Sequence, residues 1–186
     1  MVLIDESGLL LAPLVRRTLA PAGCTPILRQ KASHRDKTSL SAALCLSPVR
    51  RQVSLRFRTY PKQYVNSERT AEFLRGVLRQ VRGRVIVLWD RGNMHKGEPI
   101  RRLLEQFPRL ELQWLPPYAP QLNPVEQLWN HLKCHCLANF AASDVYDLDR
   151  AARKRLHYVK RRPHRLKSFL AAAELNLIAK DKLFSG

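Results

Sequence analysis

Leu115-Pro-Pro-Tyr-Ala-Pro-Gln-Leu-Asn-Pro-Val-Glu-Gln-Leu-Trp-Asn-His-Leu-Lys133 reads as a strand end, a proline-stiffened loop and a helix start. Asn123 is a favoured N-cap. Pro124 suits the first helical position because its missing N–H would be unpaired there anyway. Glu126 then falls at the third helical position, where two readings compete. In one, its carboxylate reaches back as half of a capping box. In the other, it belongs to a functional site, and two further carboxylates decide for that one.

Those are Asp5 and Asp90, each at the end of an apolar run: Val2-Leu3-Ile4-Asp5-Glu6 and Val85-Ile86-Val87-Leu88-Trp89-Asp90. Five apolar residues in a row, bounded by Gly83 and Gly92, have the pattern of a central parallel strand buried on both faces. In open α/β sheets, sites form at the carboxyl ends of such strands. Three carboxylates gathered there repel one another unless a cation holds them, and hard divalent ions with oxygen ligands meet that need.

Asp5-Glu6-Ser7-Gly8, then Trp89-Asp90-Arg-Gly-Asn-Met-His95, then Tyr118-Ala-Pro-Gln-Leu-Asn-Pro-Val-Glu126 together resemble the DDE transposases, in the mariner-related bacterial branch named for insertion sequence 630. The resemblance runs from Met1 to about Leu175, and thirty-five residues separate Asp90 from Glu126, close to that branch's spacing. It implies a ribonuclease-H-like α/β fold, a mixed sheet flanked by helices. Asp5, Asp90 and Glu126 become its catalytic, metal-binding triad, holding Mg²⁺ or Mn²⁺, two ions in all. The reaction implied is metal-dependent DNA strand cleavage and strand transfer. Asp5 is then the ligand shared by both ions, with Asp90 completing one shell and Glu126 the other.

The net charge of +18, from 33 Lys and Arg against 15 Asp and Glu, favours a polyanionic partner, DNA above all. The alternative for so basic a chain is a ribosomal-type binding protein. An apolar content of 45% argues against a disordered basic tail. Cys24, Cys45, Cys134 and Cys136 are too few and scattered for a disulfide framework. No apolar run approaches a membrane span, and no signal-peptide pattern opens the chain. The expectation is a cytoplasmic, nucleoid-associated bacterial protein with no membrane partner.

Along the chain, residues 2–5 form a strand that 7–12 continue through a turn. Residues 13–38 are loop-rich. Strands at 39–46 and 52–59 pair across a Ser47-Pro48 corner, with Val53, Leu55 and Phe57 on one face. Ser67 caps a helix with Phe73, Leu74, Val77, Leu78 and Val81 on one side, and Gly83 stops it. A helix from Pro99 carries Ile100, Leu103, Leu104 and Phe107, and 110–115 form a last strand. The Glu126 helix packs through Leu128, Trp129 and Leu132. Ser143 opens a C-terminal helix that Pro163 breaks. One domain is expected over 1–175, including a basic helical segment at 143–167, with a tail at 176–186.

Residues 150–167 hold nine Lys and Arg and no acid, half the net charge. Such a run is either a solvated face or a phosphate-contacting one. In a chain this basic, Arg153, Lys154, Arg155, Lys160, Arg161, Arg162 and Arg165 are candidate DNA contacts. His95 either contacts DNA or stands behind the metal ligands. Glu6 points away from Asp5 on a regular strand and reads as a surface or structural acid. Tyr118 and Trp129 read as core aromatics, with base stacking as the alternative. His131, Cys134, His135 and Cys136 invite a zinc reading, but on a helix residues 134 and 136 diverge. His34-Arg35-Asp36 matches the start of a protein-kinase catalytic loop. The Asn that loop needs would fall at Ser41, so that reading is discarded.

Members of the resembled branch carry helix-turn-helix modules ahead of the catalytic domain. Here the first catalytic strand follows Met1 directly, so a separate helix-turn-helix polypeptide from the same element is the expected partner, with a homodimer on DNA. The alternatives are a catalytically idle nucleic-acid-binding remnant and a standalone metal-dependent nuclease.

Overall fold

A computed structural model describes residues 1–29, 36–47, 52–117 and 119–175. Five strands form one mixed sheet in the order β3-β2-β1-β4-β5. They are β1 (Val2–Leu10), β2 (Lys37–Ser47), β3 (Gln52–Pro61), β4 (Val85–Trp89) and β5 (Leu110–Trp114). β1 is the hinge of the topology: it pairs antiparallel with β2 and parallel with β4. The parallel pairing is short, Val2 with Val87 and Leu3 with Leu88. The two strands are in register just before each reaches its carboxylate.

Helices cover both faces. α1 (Ser67–Gln80) and α2 (Glu98–Gln106) pack on one, burying Ala71, Phe73, Leu74, Val77, Ile100 and Leu103 against Val2, Ile4, Val87 and Trp89. α3 (Pro124–Asn130), α4 (Val145–Lys160) and α5 (Pro163–Ala172) cover the other. There Leu128, Trp129, Leu156 and Leu166 meet Leu3, Leu40, Leu44 and Leu55. The alternation of β1 divides its side chains between the two layers. Thr38 on β2 donates to the buried carboxylate of Asp149 on α4 at 3.0 Å, fixing that helix to the sheet. This is the ribonuclease-H-like arrangement that the resemblance implies.

Several local expectations need correcting. β1 does not turn at residue 7: Glu6, Ser7 and Gly8 stay extended because each is matched in register by Ser41, Leu40 and Ser39 of β2. α1 is capped by Asn66, whose side chain accepts from the Arg69 N–H, so Ser67 is the first helical residue. Asp144, not Ser143, caps α4, accepting from Tyr146 and Asp147, while Asp147 accepts from Ser143 in return. Pro163 starts α5 as well as ending what precedes it, as a proline at a first helical position can. β2 and β3 pair antiparallel down to Ser47 and Gln52, while Pro48 of the expected corner lies outside the described residues. So do His34, Arg35, Tyr118 and the tail at 176–186. Among the described residues no helix is long and apolar enough to cross a membrane.

Candidate active site

Asp5, Asp90 and Glu126 line one cavity of about 450 Å³, together with Arg91, Gly92, Leu115, Pro117 and Asn123. Three stretches far apart in sequence deliver them. Asp5 sits on the central strand β1, Asp90 directly follows β4, and Glu126 lies in the first turn of α3.

Asn123 joins two of these stretches. It is buried, its Oδ1 caps α3 by accepting from the Val125 N–H, and its Nδ2 donates to the Ile4 carbonyl at 3.0 Å. The helix that carries Glu126 is thereby hydrogen-bonded to the strand residue before Asp5. The Glu126 carboxylate makes no hydrogen bond back to the cap among the described residues. It is exposed and faces the cavity, so the capping-box reading fails and only the Asn123 cap stands.

Asp5 is 7% exposed, and its Oδ2 accepts from the Trp129 indole N–H at 2.8 Å. Burial first, then the negative charge of Glu126 and Glu6, pushes its carboxyl up to about 8, and the Trp129 hydrogen bond only partly opposes them. The crowding of like charges is concentrated on this one group. Trp129 is itself 1% exposed, which removes base stacking and makes it both a core residue and a support for Asp5.

Asp90 is held differently. Its Oδ1 accepts from the Gly92 N–H at 2.8 Å and lies 2.9 Å from Nδ1 of His95. The same Nδ1 is 3.0 Å from the Asp90 carbonyl, and Nε2 of His95 is 2.9 Å from Oε2 of Glu6. Both ring nitrogens face acceptor oxygens, an arrangement that favours the protonated ring. Burial works to lower the His95 pKa. The hydrogen bond to Glu6, the Glu6 charge and the Asp90 oxygens outweigh it and raise it. The ring also stacks on Trp89, centroids 4.4 Å apart. At 2% exposure with both nitrogens engaged, His95 is not placed to touch DNA; it stands behind Asp90. Glu6 does face away from Asp5, as its strand alternation requires. It is the buried partner of His95 and of the Thr70 hydroxyl rather than a surface acid. The pairing of Glu6 with His95 was not legible in sequence, because it arises only where β1 and the turn after β4 meet.

Gly92 is required by space. A Cβ there would lie 2.9 Å from Asp90 Oδ1 and 3.6 Å from His95 Nδ1. Because the carboxylate is the part that can move, Gly92→Ala is expected to leave the fold intact and displace Asp90. The measurement is Mn²⁺ binding by calorimetry beside a thermal melt. Affinity should fall roughly tenfold, at the lower end of what disturbing a ligand's support costs, with an unchanged melting temperature. Unchanged affinity would show that the carboxylate position is immaterial.

Carboxylate oxygens suit a hard cation such as Mg²⁺, which keeps several waters and leans on substrate phosphates rather than a closed protein cage. The anionic crowding on Asp5 is what such an ion relieves. Among the described residues no three His, Cys, Asp or Glu side chains are clustered as a ligand set, so Asp5, Asp90 and Glu126 share a cavity without converging on one point. His131 and Cys136 do touch, Nε2 to Sγ at 3.4 Å, because α3 widens into a π turn over His131–Cys136. The candidate DNA contacts Arg153, Lys154, Arg155, Lys160, Arg161 and Arg165 are exposed, while Arg162 folds back over the Tyr158 ring. They spread over the outer sides of α4 and α5 rather than along one stripe.

The model of the family described as DDE superfamily endonuclease matches residues 1–149. No curated protein matches the chain in sequence. Among solved structures, the fold is similar to the mariner Mos1 paired end complex with Mg, at 19% identity and a TM-score of 0.61, over 93% of this chain and 53% of that one. It is also similar to the Mos1 transposase paired-end complex with left transposon end, at 20% identity and a TM-score of 0.57, over 92% and 55%. A simian T-cell lymphotropic virus intasome in complex with a PP2A regulatory subunit matches at 12% identity and a TM-score of 0.52, over 83% and 46%. The chain spans about half the length of these structures' chains, and at such identities the likeness is one of fold.

Proposed function

We propose that this chain, which belongs to the DDE superfamily of endonucleases, cuts DNA strands and joins them to new ones in transposition, using divalent cations held by Asp5, Asp90 and Glu126. One observation carries the reading: three carboxylates from separate stretches open on a single cavity, where the carboxyl end of β4 lies beside the middle of β1. Mg²⁺ or Mn²⁺ bound there would activate the attacking oxygen and stabilise the leaving one in an in-line displacement at phosphorus.

The chain's own residues prepare that site. Trp129 fixes one oxygen of Asp5, leaving the other for a ligand role shared between two ions. Gly92 and His95 fix one oxygen of Asp90 and so orient its carboxylate. Asn123 holds the helix of Glu126 against the strand of Asp5. Arg91 and the wall of Leu115, Pro116 and Pro117 shape the mouth through which a phosphodiester would enter. Arg153, Lys154, Arg155, Arg161 and Arg165 supply exposed positive charge for the rest of the duplex. End recognition falls to helix-turn-helix modules acting with this unit, and pairing of two ends to a dimer.

Incubation with supercoiled plasmid tests the reading. Mn²⁺ or Mg²⁺ should yield nicked circles and EDTA none. Pre-cut element ends should give strand-transfer products. DNA binding without nicking in any divalent cation would make the chain a nucleic-acid-binding protein with a retained fold. Nicking without strand transfer would make it a nuclease.

A further inference from the structure

At the opposite end of the sheet lies a second, larger cleft of about 880 Å³. Its walls include Arg56, Gln80, Arg82, Lys160, Pro163 and Lys167, and among the described residues no acidic side chain lines it. The register puts it at the start of β1 and β4. Cys45, in its wall, pairs with Val2, three residues before Asp5, while Asp90 follows the far end of β4. The cleft wraps the sheet's end, with the last turn of α1 on one side and the α4–α5 junction on the other.

Three independent features of this cleft call for an anion. Four cations converge without a counter-charge. The Nε of Arg56 is buried without a hydrogen-bond partner among the described residues, although its Nη1 donates to the Leu55 carbonyl at 3.2 Å. A buried guanidinium N–H left unpaired is costly, and an anion oxygen would satisfy it. The ten-residue helix α5 begins at Pro163 in the wall, with no side chain capping it and no acid in its first turn. Lys167 lies one turn into α5 from Pro163, and Lys160 ends α4 just before it, and both line the cleft beside the positive end of α5. The cleft is also open and about twice the volume of the carboxylate cavity, which fits linked phosphates better than a single buried one.

We propose that this cleft is a second phosphate-binding site that grips the backbone of duplex nucleic acid, on a stretch distinct from the one being cut. The inference rests on the reading of the chain as a DNA-processing protein and adds a contact that the carboxylate site does not require. The two sites are separated by roughly the length of β4, on the order of 15 Å. One duplex must therefore curve around the sheet's edge, or two duplexes must be held at once.

The test is binding of a labelled short duplex of random sequence, followed by anisotropy across a salt series in EDTA, so that the carboxylate site takes no part. The variant Arg82→Gln, Lys160→Gln, Lys167→Gln changes only exposed side chains. A charge-matched control changes Lys62, Arg101 and Arg102 to Gln, none of which lines the cleft. The cleft variant should bind roughly tenfold more weakly or worse, with a log–log salt slope shallower by about 2.7 for three cations removed, at ~0.9 for each phosphate no longer neutralised. The control should stay within about twofold at the same net charge. Equal losses in both variants, or none in either, would overturn the proposal. Displacement of the duplex by millimolar inorganic phosphate would also overturn it, in favour of a small-anion site. Displacement by poly-glutamate as readily as by DNA would assign the cleft to an acidic protein. Failure here with nicking intact would leave the function of the carboxylate site standing. Cleft binding with no nicking in any metal would do the reverse.

Discussion

Asp5→Asn is expected to abolish strand cleavage and, in the same protein, to raise its stability when no metal is bound. The carboxyl of Asp5 is pushed from an ordinary 3.8 to about 8 by burial and by the neighbouring carboxylates. A carboxyl that holds its proton more tightly in the folded state costs stability as pH rises. The loss begins near 3.8, grows by at most about 1.4 kcal/mol per pH unit, and levels off above about 8. Asn carries no such proton. Its amide oxygen can still accept the Trp129 indole N–H, so the mutant keeps the hydrogen bond and loses the slope. At pH 7 in EDTA the mutant should be more stable by on the order of 2 kcal/mol, which is about 4–8 °C in a chain of this size. Below pH 4 the two proteins should melt together.

Mn²⁺ should reverse the order, because an ion bound only by the folded state stabilises it by mass action. Nicking should fall roughly a thousandfold or more, since several kcal/mol of charge stabilisation go with the ion. Melts of both proteins from pH 4 to pH 9, with EDTA and with Mn²⁺, decide the matter. A wild type with a flat stability profile over that range would mean that Asp5 is not crowded, and the metal reading would lose its main physical support.

The second large effect lies at the clamp behind Asp90. His95→Phe keeps a ring on Trp89 but removes both N–H groups. It also strands Glu6, whose side chain is 8% exposed, as a buried charge without its partner. The double variant Glu6→Gln, His95→Phe removes that stranded charge. Stability should therefore drop in the single variant and largely recover in the double. Mn²⁺ affinity should fall by about 10–100-fold in both, the usual cost of losing a ligand's supporting partner. If affinity recovers along with stability, Glu6 and His95 serve the fold alone and do not position Asp90.

The chain's organisation was legible where a local pattern had one physical solution. Two apolar runs ending in acids read as strands, and they are, though only Asp90 lies at a strand end while β1 runs on past Asp5 to Leu10. Asn123-Pro124 could hardly be anything but a helix start, and it is one. Local competition between good caps was harder: Asn66 and Asp144 won over adjacent serines, because a carbonyl or carboxylate oxygen reaches the second and third N–H groups well. Least legible was what depends on distant pairing. Glu6 and His95 are 89 residues apart and Trp129 and Asp5 are 124 apart. In sequence, Glu6 and Trp129 looked like ordinary structural residues, and nothing tied Glu6 to His95 or Trp129 to Asp5. Asn123 gave up half of its role, the cap, and kept the other half hidden, because its bond to the Ile4 carbonyl exists only once β1 and α3 are packed.

The position of β1 bears on how the protein is made. The first strand of this domain in chain order becomes the middle of the sheet, between β2 and β4. Its antiparallel neighbour arrives within a few dozen residues, but its parallel neighbour begins only at Val85, and the helix bearing Glu126 later still. At about 5–20 residues per second, one edge of β1 stays unpaired for several seconds or more during synthesis. Its Val-Leu-Ile run is then an exposed template for other chains. The first three strands, β1 to β3, can form a meander early, whereas the carboxylate cavity cannot close until the helix after Asn123 has docked. Assembly of the site is thus the late event of folding. Slow or incomplete docking of α3 would leave a folded, DNA-attracting sheet without a working centre.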